Sequence, residues 1–275
     1  MYYIVVYIIT VSSYTLLGDL KEDMKKEASR QEDSLIFEGM TSISAVINGG
    51  YRRIEKVLFD KDKNDKKSRQ LSWLKAKSRE LGFEIEYTDA KEIDELTTGN
   101  SHGGVIAICS DREIPDLSSL SPKEDGFYVM IDGIEDPYNF GYAIRTLYAA
   151  GVDAIILTPR NWMSAAGVVC RSSAGASELL PIYTSEGEEA SAFFKSHSIK
   201  VIAAGIRDSV CAFDADLSKP IFLIVGGEKR GISAKVLSTA DTIVRLDYGR
   251  EFNGSLSAAS CASVLAYEIL RQNRK

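Results

Sequence analysis

The rhythm of hydrophobic and polar positions divides the chain in two. From Ser34 to Ser110 short apolar runs alternate with charged, helix-prone stretches. ISAVIN (43–48) has helical character, KVLF (56–59) predicts a strand, and Arg69–Leu81 a basic helix. EIEY (84–87) predicts a strand, Lys91–Leu96 a short helix and VIAIC (105–109) another strand. That alternation is the pattern of a small α/β domain. Asp111–Asp125 (DREIPDLSSLSPKED) is poor in apolar residues and rich in Ser, Pro and charge, so it is expected to be a linker.

Beyond 125 the strands become continuously apolar, as strands buried on both faces do. They are FYVMID (127–132), AIIL (154–157), VIAA (201–204), IFLIV (221–225) and TIVRL (242–246), with helical patterns between most of them. A last helix is expected from about Ser257 to Arg271, where Ala262, Leu265, Ala266 and Leu270 recur at 3- to 4-residue spacing. A parallel α/β sheet of five or six strands with helices on both faces follows. The expected division is an extension at 1–33, a small α/β domain at 34–110, a linker at 111–125 and a sheet domain at 126–275.

Residues 1–18, MYYIVVYIITVSSYTLLG, are apolar, but no Lys or Arg precedes them and Ser and Thr interrupt them. Their Ile, Val, Tyr and Thr content suits a strand better than a membrane span. The 275 residues are 45% hydrophobic and 26% charged, the composition of an ordinary soluble protein. A net charge of −6 argues against general coating of polyanions, yet Tyr51–Glu80 carries eleven Lys and Arg against five acids. Lys66, Lys67 and Arg69 lie at the centre of this stretch and are candidates for contact with an anionic partner. Four cysteines without paired spacing fit neither a zinc ribbon nor a disulfide framework, and two histidines lack partners at metal-ligand spacing. No metal is expected, and a cytoplasmic protein is.

Ligands of open α/β sheets sit beyond the carboxyl ends of the strands. Glycine-bearing loops fall there: DGIEDPYNFG after the first strand of the second half, GGEKRG (226–231) and DYGREFNGSLS (247–257). No G-x-G-x-x-G follows the first strand, and Ile232 stands where a P-loop needs lysine, so nicotinamide-cofactor and NTPase readings both fail.

Together DGIEDPYNFGYAIRTLYAAGV, FLIVGGEKRGIS and GREFNGSLSAASCASVLAYEIL, with RSSAGASELLPIY between the first two, resemble the three ordered motifs of the SpoU/TrmH family of RNA methyltransferases, in the SPOUT class. SLIFEGMTSISAVIN and SHGGVIAICS are similar to that family's small ribosomal-protein-like RNA-binding domain. The resemblance implies a knotted (trefoil) parallel-sheet SPOUT domain behind a small N-terminal α/β/α domain, a homodimer, and S-adenosylmethionine-dependent 2′-O-methylation of ribosomal or transfer RNA. It implies a cofactor set of Gly226, Gly227, Leu246, Leu256 and Ser257, and a catalytic set of Asn139, Arg145, Glu228 and Ser255. An arginine fork at a helix entrance suits an RNA phosphate. Its pKa above about 12 makes it a poor base, so Arg145 is expected to clamp phosphate and stabilise alkoxide. Asn139 would orient Arg145 or the target nucleotide, Glu228 would organise the site through backbone N–H groups or Asn139, and Ser255 would bond near cofactor or substrate. One departure is Ser257, where the family has asparagine. Two other readings stay open at this stage: a non-catalytic RNA-binding protein of the same fold, and a methyltransferase of a base or a protein.

Overall fold

The structure, a computed structural model, describes residues 35–63, 65–97, 102–159, 165–227 and 231–274. The extension at 1–33, with its apolar opening, and Glu228 lie outside the described residues. The first lobe runs β1 (Leu35–Glu38), α1 (Gly39–Gly49), β2 (Ile54–Asp60), α2 (Ser68–Leu81), β3 (Glu84–Thr88), α3 (Ala90–Leu96) and β4 (Val105–Cys109). Its four-stranded sheet has the order β1-β4-β2-β3, with only β2 and β3 parallel. Strand β1 was not expected from the pattern, because the four residues LIFE carry too short an alternation. Phe37, Ile43, Val46, Val57, Phe59, Leu74 and Val105 form the core of this lobe.

The second lobe runs β5 (Phe127–Asp132), α4 (Pro137–Ala149), β6 (Ala154–Leu157), α5 (Ala166–Ser172), β7 (Ile182–Thr184), α6 (Gly187–Ser196), β8 (Lys200–Ala204), β9 (Val210–Cys211), β10 (Ile221–Gly226), α7 (Ala234–Leu237), β11 (Thr242–Arg245) and α8 (Ala258–Gln272). All neighbours are parallel in a seven-stranded sheet of order β7-β6-β5-β10-β8-β11-β9. The expected five or six strands become seven because β7 has three residues and β9 two, too few to leave a pattern. Both faces are covered, as expected. Phe127, Val129, Ile131, Leu223 and Val225 pack with α4 and α8. Tyr128, Met130, Phe222 and Ile224 pack instead with Ala190 and Phe194 of α6. The stripe of the last helix belongs to this core, since Ala262, Leu265 and Ala266 are at most 1% exposed. No helix among the described residues is long and apolar enough to cross a membrane.

The lobes are fastened through charge rather than joined by a loose connection. Arg52 of the first lobe meets Glu178 of the second at 2.9 Å, with side chains only 4% and 3% exposed. Arg112, at the start of the expected linker, is buried and donates to the carbonyls of Ser177 and Leu180, each at 2.7 Å. Its guanidinium lies 3.9 Å from the centroid of the Tyr51 ring. Burial lowers the Arg112 pKa from its usual value, and nearby Glu178 opposes that shift. Arg171 adds a 2.6 Å bridge to Glu38. Main chain also approaches closely here: a Cβ on Gly49 would sit 1.7 Å from the Glu178 carbonyl oxygen, and one on Gly167 2.2 Å from that of Ile36. Further along, Ile114 and Leu117 pack into the second lobe's core clusters, so the expected linker is docked through its first half.

Among the described residues Glu178 is the acid of this buried group, and removing it leaves the buried Arg52 without its ion-pair partner. Glu178→Ala is expected to cost about 3–5 kcal/mol of stability, whereas Arg52→Met with Glu178→Leu should cost clearly less. Urea unfolding of the three proteins checks this. A Glu178→Ala protein as stable as its parent would show that the charges do not fasten the lobes.

Candidate active site

The carboxyl edge of the parallel sheet is built on glycine. Strand β5 ends at Asp132, and Gly133 follows with φ of +86°, a left-handed conformation open to glycine at no steric cost. The register pairs Gly226 at the end of β10 with Asp132. A Cβ on Gly227 would lie 2.2 Å from the Gly133 carbonyl oxygen, and one on Gly226 2.5 Å from the Gly231 carbonyl carbon and the Ile232 nitrogen. Gly231 closes the turn by donating its N–H to the Gly227 carbonyl at 3.0 Å. These glycines therefore let one loop lie directly on another. Residues 228–230 between them, Glu228 included, are outside the described set.

After Gly133 the chain tucks Ile134 into the core and starts α4 at a fixed point. Asp136 is the N-cap: its carboxylate accepts the Asn139 N–H at 2.8 Å, and Pro137 fills the first turn. Asn139 is thus not the cap, and its half-buried side chain has no hydrogen bond to any described residue. Arg145, two turns further, is exposed and makes no hydrogen bond or ion pair with a described residue. Gly141 between them serves packing, since a Cβ there would lie 1.9 Å from the Ser172 hydroxyl of α5.

The third loop follows β11. Leu246 is partly buried against the core, and then Asp247 to Leu256 are all exposed. Leu256 is 38% exposed and donates its N–H to the Tyr248 hydroxyl at 3.3 Å. Ser255 is exposed, and Ser257 caps α8 by accepting the Ser260 N–H at 3.2 Å. Serine and asparagine cap helices about equally well, so the departure at Ser257 preserves the helix start. The Ser257 hydroxyl also donates to that of Ser260 at 3.0 Å, which commits the side chain to the helix. Because α8 packs against α4, this loop and the Arg145 helix belong to one edge of the lobe.

Lys66, Lys67 and Arg69 lie apart from this edge, where β2 leads into α2. Lys66 and Arg69 are exposed, but Lys67 donates to the Gly103 carbonyl at 2.6 Å and is partly buried. Much of the basic stretch around them is neutralised locally: Lys56 bridges Glu86 at 2.7 Å, Lys61 Asp89 at 2.5 Å and Lys77 Glu80 at 2.7 Å. The residues that sequence reasoning did not single out are Gly133, Gly231 and the capping Asp136. The signal for Gly133 was its place directly after an apolar strand ending in aspartate.

Neither Cys170, in the core between the lobes, nor Cys261, packed against the second lobe's core, is a ready nucleophile. Burial pushes the Cys170 thiol up to about 12 and that of Cys261 to about 11, which keeps both protonated at neutral pH. No group of three or more His, Cys, Asp or Glu among the described residues is placed to hold a metal. What the edge offers is backbone at glycine turns, two leucines and a guanidinium that no described residue engages.

Comparison with known proteins matches both lobes. Residues 36–115 match the family described as RNA 2′-O ribose methyltransferase substrate binding. Among curated proteins, the 23S rRNA (guanosine-2′-O-)-methyltransferase RlmB of Shewanella oneidensis is 24% identical over 249 residues, covering 89% of this chain and 99% of that enzyme. The putative TrmH family tRNA/rRNA methyltransferase YacO of Bacillus subtilis is 28% identical over 207 residues, covering 71% of this chain and 80% of its own length. Among solved structures, an AdoMet-bound rRNA methyltransferase from Sinorhizobium meliloti superposes with a TM-score of 0.77 at 23% identity, over 91% of this chain and 92% of that one. That likeness establishes the fold. Residues 126–267, just over half of the 275, match the SpoU rRNA Methylase family, and the chain belongs to that family.

Proposed function

We propose that this protein methylates a ribose 2′-hydroxyl of ribosomal RNA, using S-adenosylmethionine. The observation that carries the reading is the Gly133–Gly227 contact, which lays the loop leading to Arg145 against the loop that ends β10. Family membership and the 2′-O-methyltransferase names of the relatives support it. The names of other relatives extend to transfer RNA, which stays the second substrate class.

The cofactor supplies an electrophilic methyl group on a sulfonium. The main chain at Gly226 and Gly227 and the side chains of Leu246 and Leu256 would hold it, a donor set suited to a largely apolar, neutral-edged adenosine. Ser257 would contribute through its backbone, its hydroxyl being engaged at the helix cap. Arg145 grips the phosphate beside the target ribose and stabilises the negative charge that develops on the attacking oxygen. Asn139, whose side chain no described residue engages, orients the guanidinium or the nucleotide, and Ser255 bonds near the reacting groups. Glu228 is assigned by the resemblance alone to organising the β10 turn. Alignment of hydroxyl and methyl supplies much of the rate, since such positioning contributes up to roughly 7–11 kcal/mol in favourable cases. A knotted carboxyl-terminal path belongs to the same reading, because it would turn three backbone loops toward one ligand.

A homodimer also belongs to it. Tyr138, Tyr142 and Tyr148 on α4 and Val264 and Tyr267 on α8 are 39–53% exposed on two helices that pack together. Arg145 shares the helix face of Tyr138 and Tyr142, so a second copy covering the tyrosines would border the site. RNA reaches the enzyme through the first lobe, where Lys66 and Arg69 are exposed and Lys67 is tied down. A cytoplasmic location accords with such a substrate.

Arg145→Ala is expected to lower methyl transfer at least roughly 100-fold, as loss of a charge-stabilising donor does elsewhere, while calorimetric affinity for S-adenosylmethionine stays within a few-fold. A full-rate variant would remove Arg145 from the mechanism. The product should resist alkaline cleavage at one phosphate. A cleavable product carrying methyl would transfer the assignment to a base. Gly227→Ala, with its Cβ driven onto Gly133, should lose cofactor affinity about tenfold or more. Replacing Lys66 and Arg69 by Gln should weaken RNA binding and reduce its log-log salt slope by about 1–2, with each lost phosphate contact contributing nearly one unit. Lys67→Gln should leave that slope unchanged.

A further inference from the structure

The exposed loop between β11 and α8 contains an organised pair of aromatic rings that the assigned residues leave unused. Tyr248 and Phe252 meet edge to face, with centroids 5.6 Å apart and planes at 67°. The Tyr248 ring is anchored, because its hydroxyl accepts the Leu256 N–H at 3.3 Å. The Phe252 ring lies over Gly254, where a Cβ would come within 2.5 Å of the ring. Yet Phe252 remains 58% exposed and Tyr248 42%. Single exposed aromatic residues are ordinary on protein surfaces. A phenylalanine braced by a tyrosine edge, seated on a glycine and left open to solvent three residues before Ser255 is a platform.

We infer that Phe252, buttressed by Tyr248, is a stacking surface for an unpaired nucleobase of the RNA substrate, next to the ribose that is modified. This rests on the methyltransferase reading for the position of the ribose. The ligand class follows from the loop's chemistry. Its charges cancel, Arg250 beside Glu251 and Asp247 bridged to Arg245 at 2.8 Å, so no net field draws a phosphate. What the loop offers is a flat apolar face, and every base has a face to match it. Sequence-tolerant stacking of splayed-out bases on aromatic side chains is a general mode of single-strand recognition. The platform would therefore hold the base while other residues choose its identity.

The test compares an adenosine RNA decamer with an abasic ribose-phosphate decamer of equal length, by tyrosine fluorescence and filter binding on the full chain. The wild type should bind the adenosine decamer about tenfold more tightly, as loss of one base stack commonly costs. Phe252→Ala should erase the difference, Phe252→Trp should keep it, and neither should alter S-adenosylmethionine affinity by calorimetry. The base-dependent increment should survive a rise in salt that weakens both decamers. Equal binding of the two decamers by the wild type would overturn the inference. So would an unaffected Phe252→Ala protein, or one that loses cofactor affinity, since the ring would then serve the cofactor. A wild type that binds the adenosine decamer preferentially but takes up no S-adenosylmethionine would keep the platform and sink the methyltransferase reading instead.

Discussion

The candidate site depends on main chain meeting main chain. Where β5 and β10 end side by side, the Gly133 carbonyl and the Gly227 α-carbon approach so closely that any side chain would collide, and Gly226 is in the same position against Gly231. Side chains normally keep adjacent loops several ångströms apart, and their removal lets two strand ends present polar backbone edges to a shared space. The loop after β5 then has one way forward, through Gly133, Ile134 and the Asp136 cap into α4. Arg145 thus projects from a helix whose starting point is set by glycine contact and whose direction is set by packing on the sheet.

Such an arrangement gives glycine a different meaning from the one its spacing suggests. In the sequence, a glycine pair after an apolar strand reads as a place where a ligand touches backbone. In the fold, the same pair is a place where backbone touches backbone, which leaves bare polar edges on both loops. Gly141 makes the same point on a smaller scale: within the first motif it looks like part of a binding loop, and its missing side chain makes room for the Ser172 hydroxyl.

What the pattern of residues disclosed was the physics that repeats along the chain. FYVMID, AIIL, VIAA and IFLIV are buried on both faces, so their apolar runs are unbroken and each forms a strand. The two- and three-residue strands β9 and β7 have no period to detect, and they form because the sheet beside them offers unpaired edges. Charge misleads more than hydrophobicity does. Arg112 sits in a segment whose composition predicts a solvated linker, but it is buried because two carbonyls of the other lobe need donors. Lys67 counts toward a basic patch by composition and is engaged by Gly103 in space. The order and spacing of the three motifs disclosed the family, because chemistry constrains both. The Tyr248–Phe252 contact was not legible, since nothing in local spacing says how an eleven-residue loop folds upon itself.

The Arg112 anchorage has a consequence for how the molecule meets its substrate. Because a charged side chain is sunk into the opposite lobe and hydrogen-bonded there, swinging one lobe away would break its two carbonyl bonds and the Arg52–Glu178 pair together. The two lobes therefore behave as the fixed jaws of a caliper. On the reading proposed above, a transcript that must touch the basic helix and offer a sugar at the sheet edge would be measured by its own three-dimensional shape rather than by its bases.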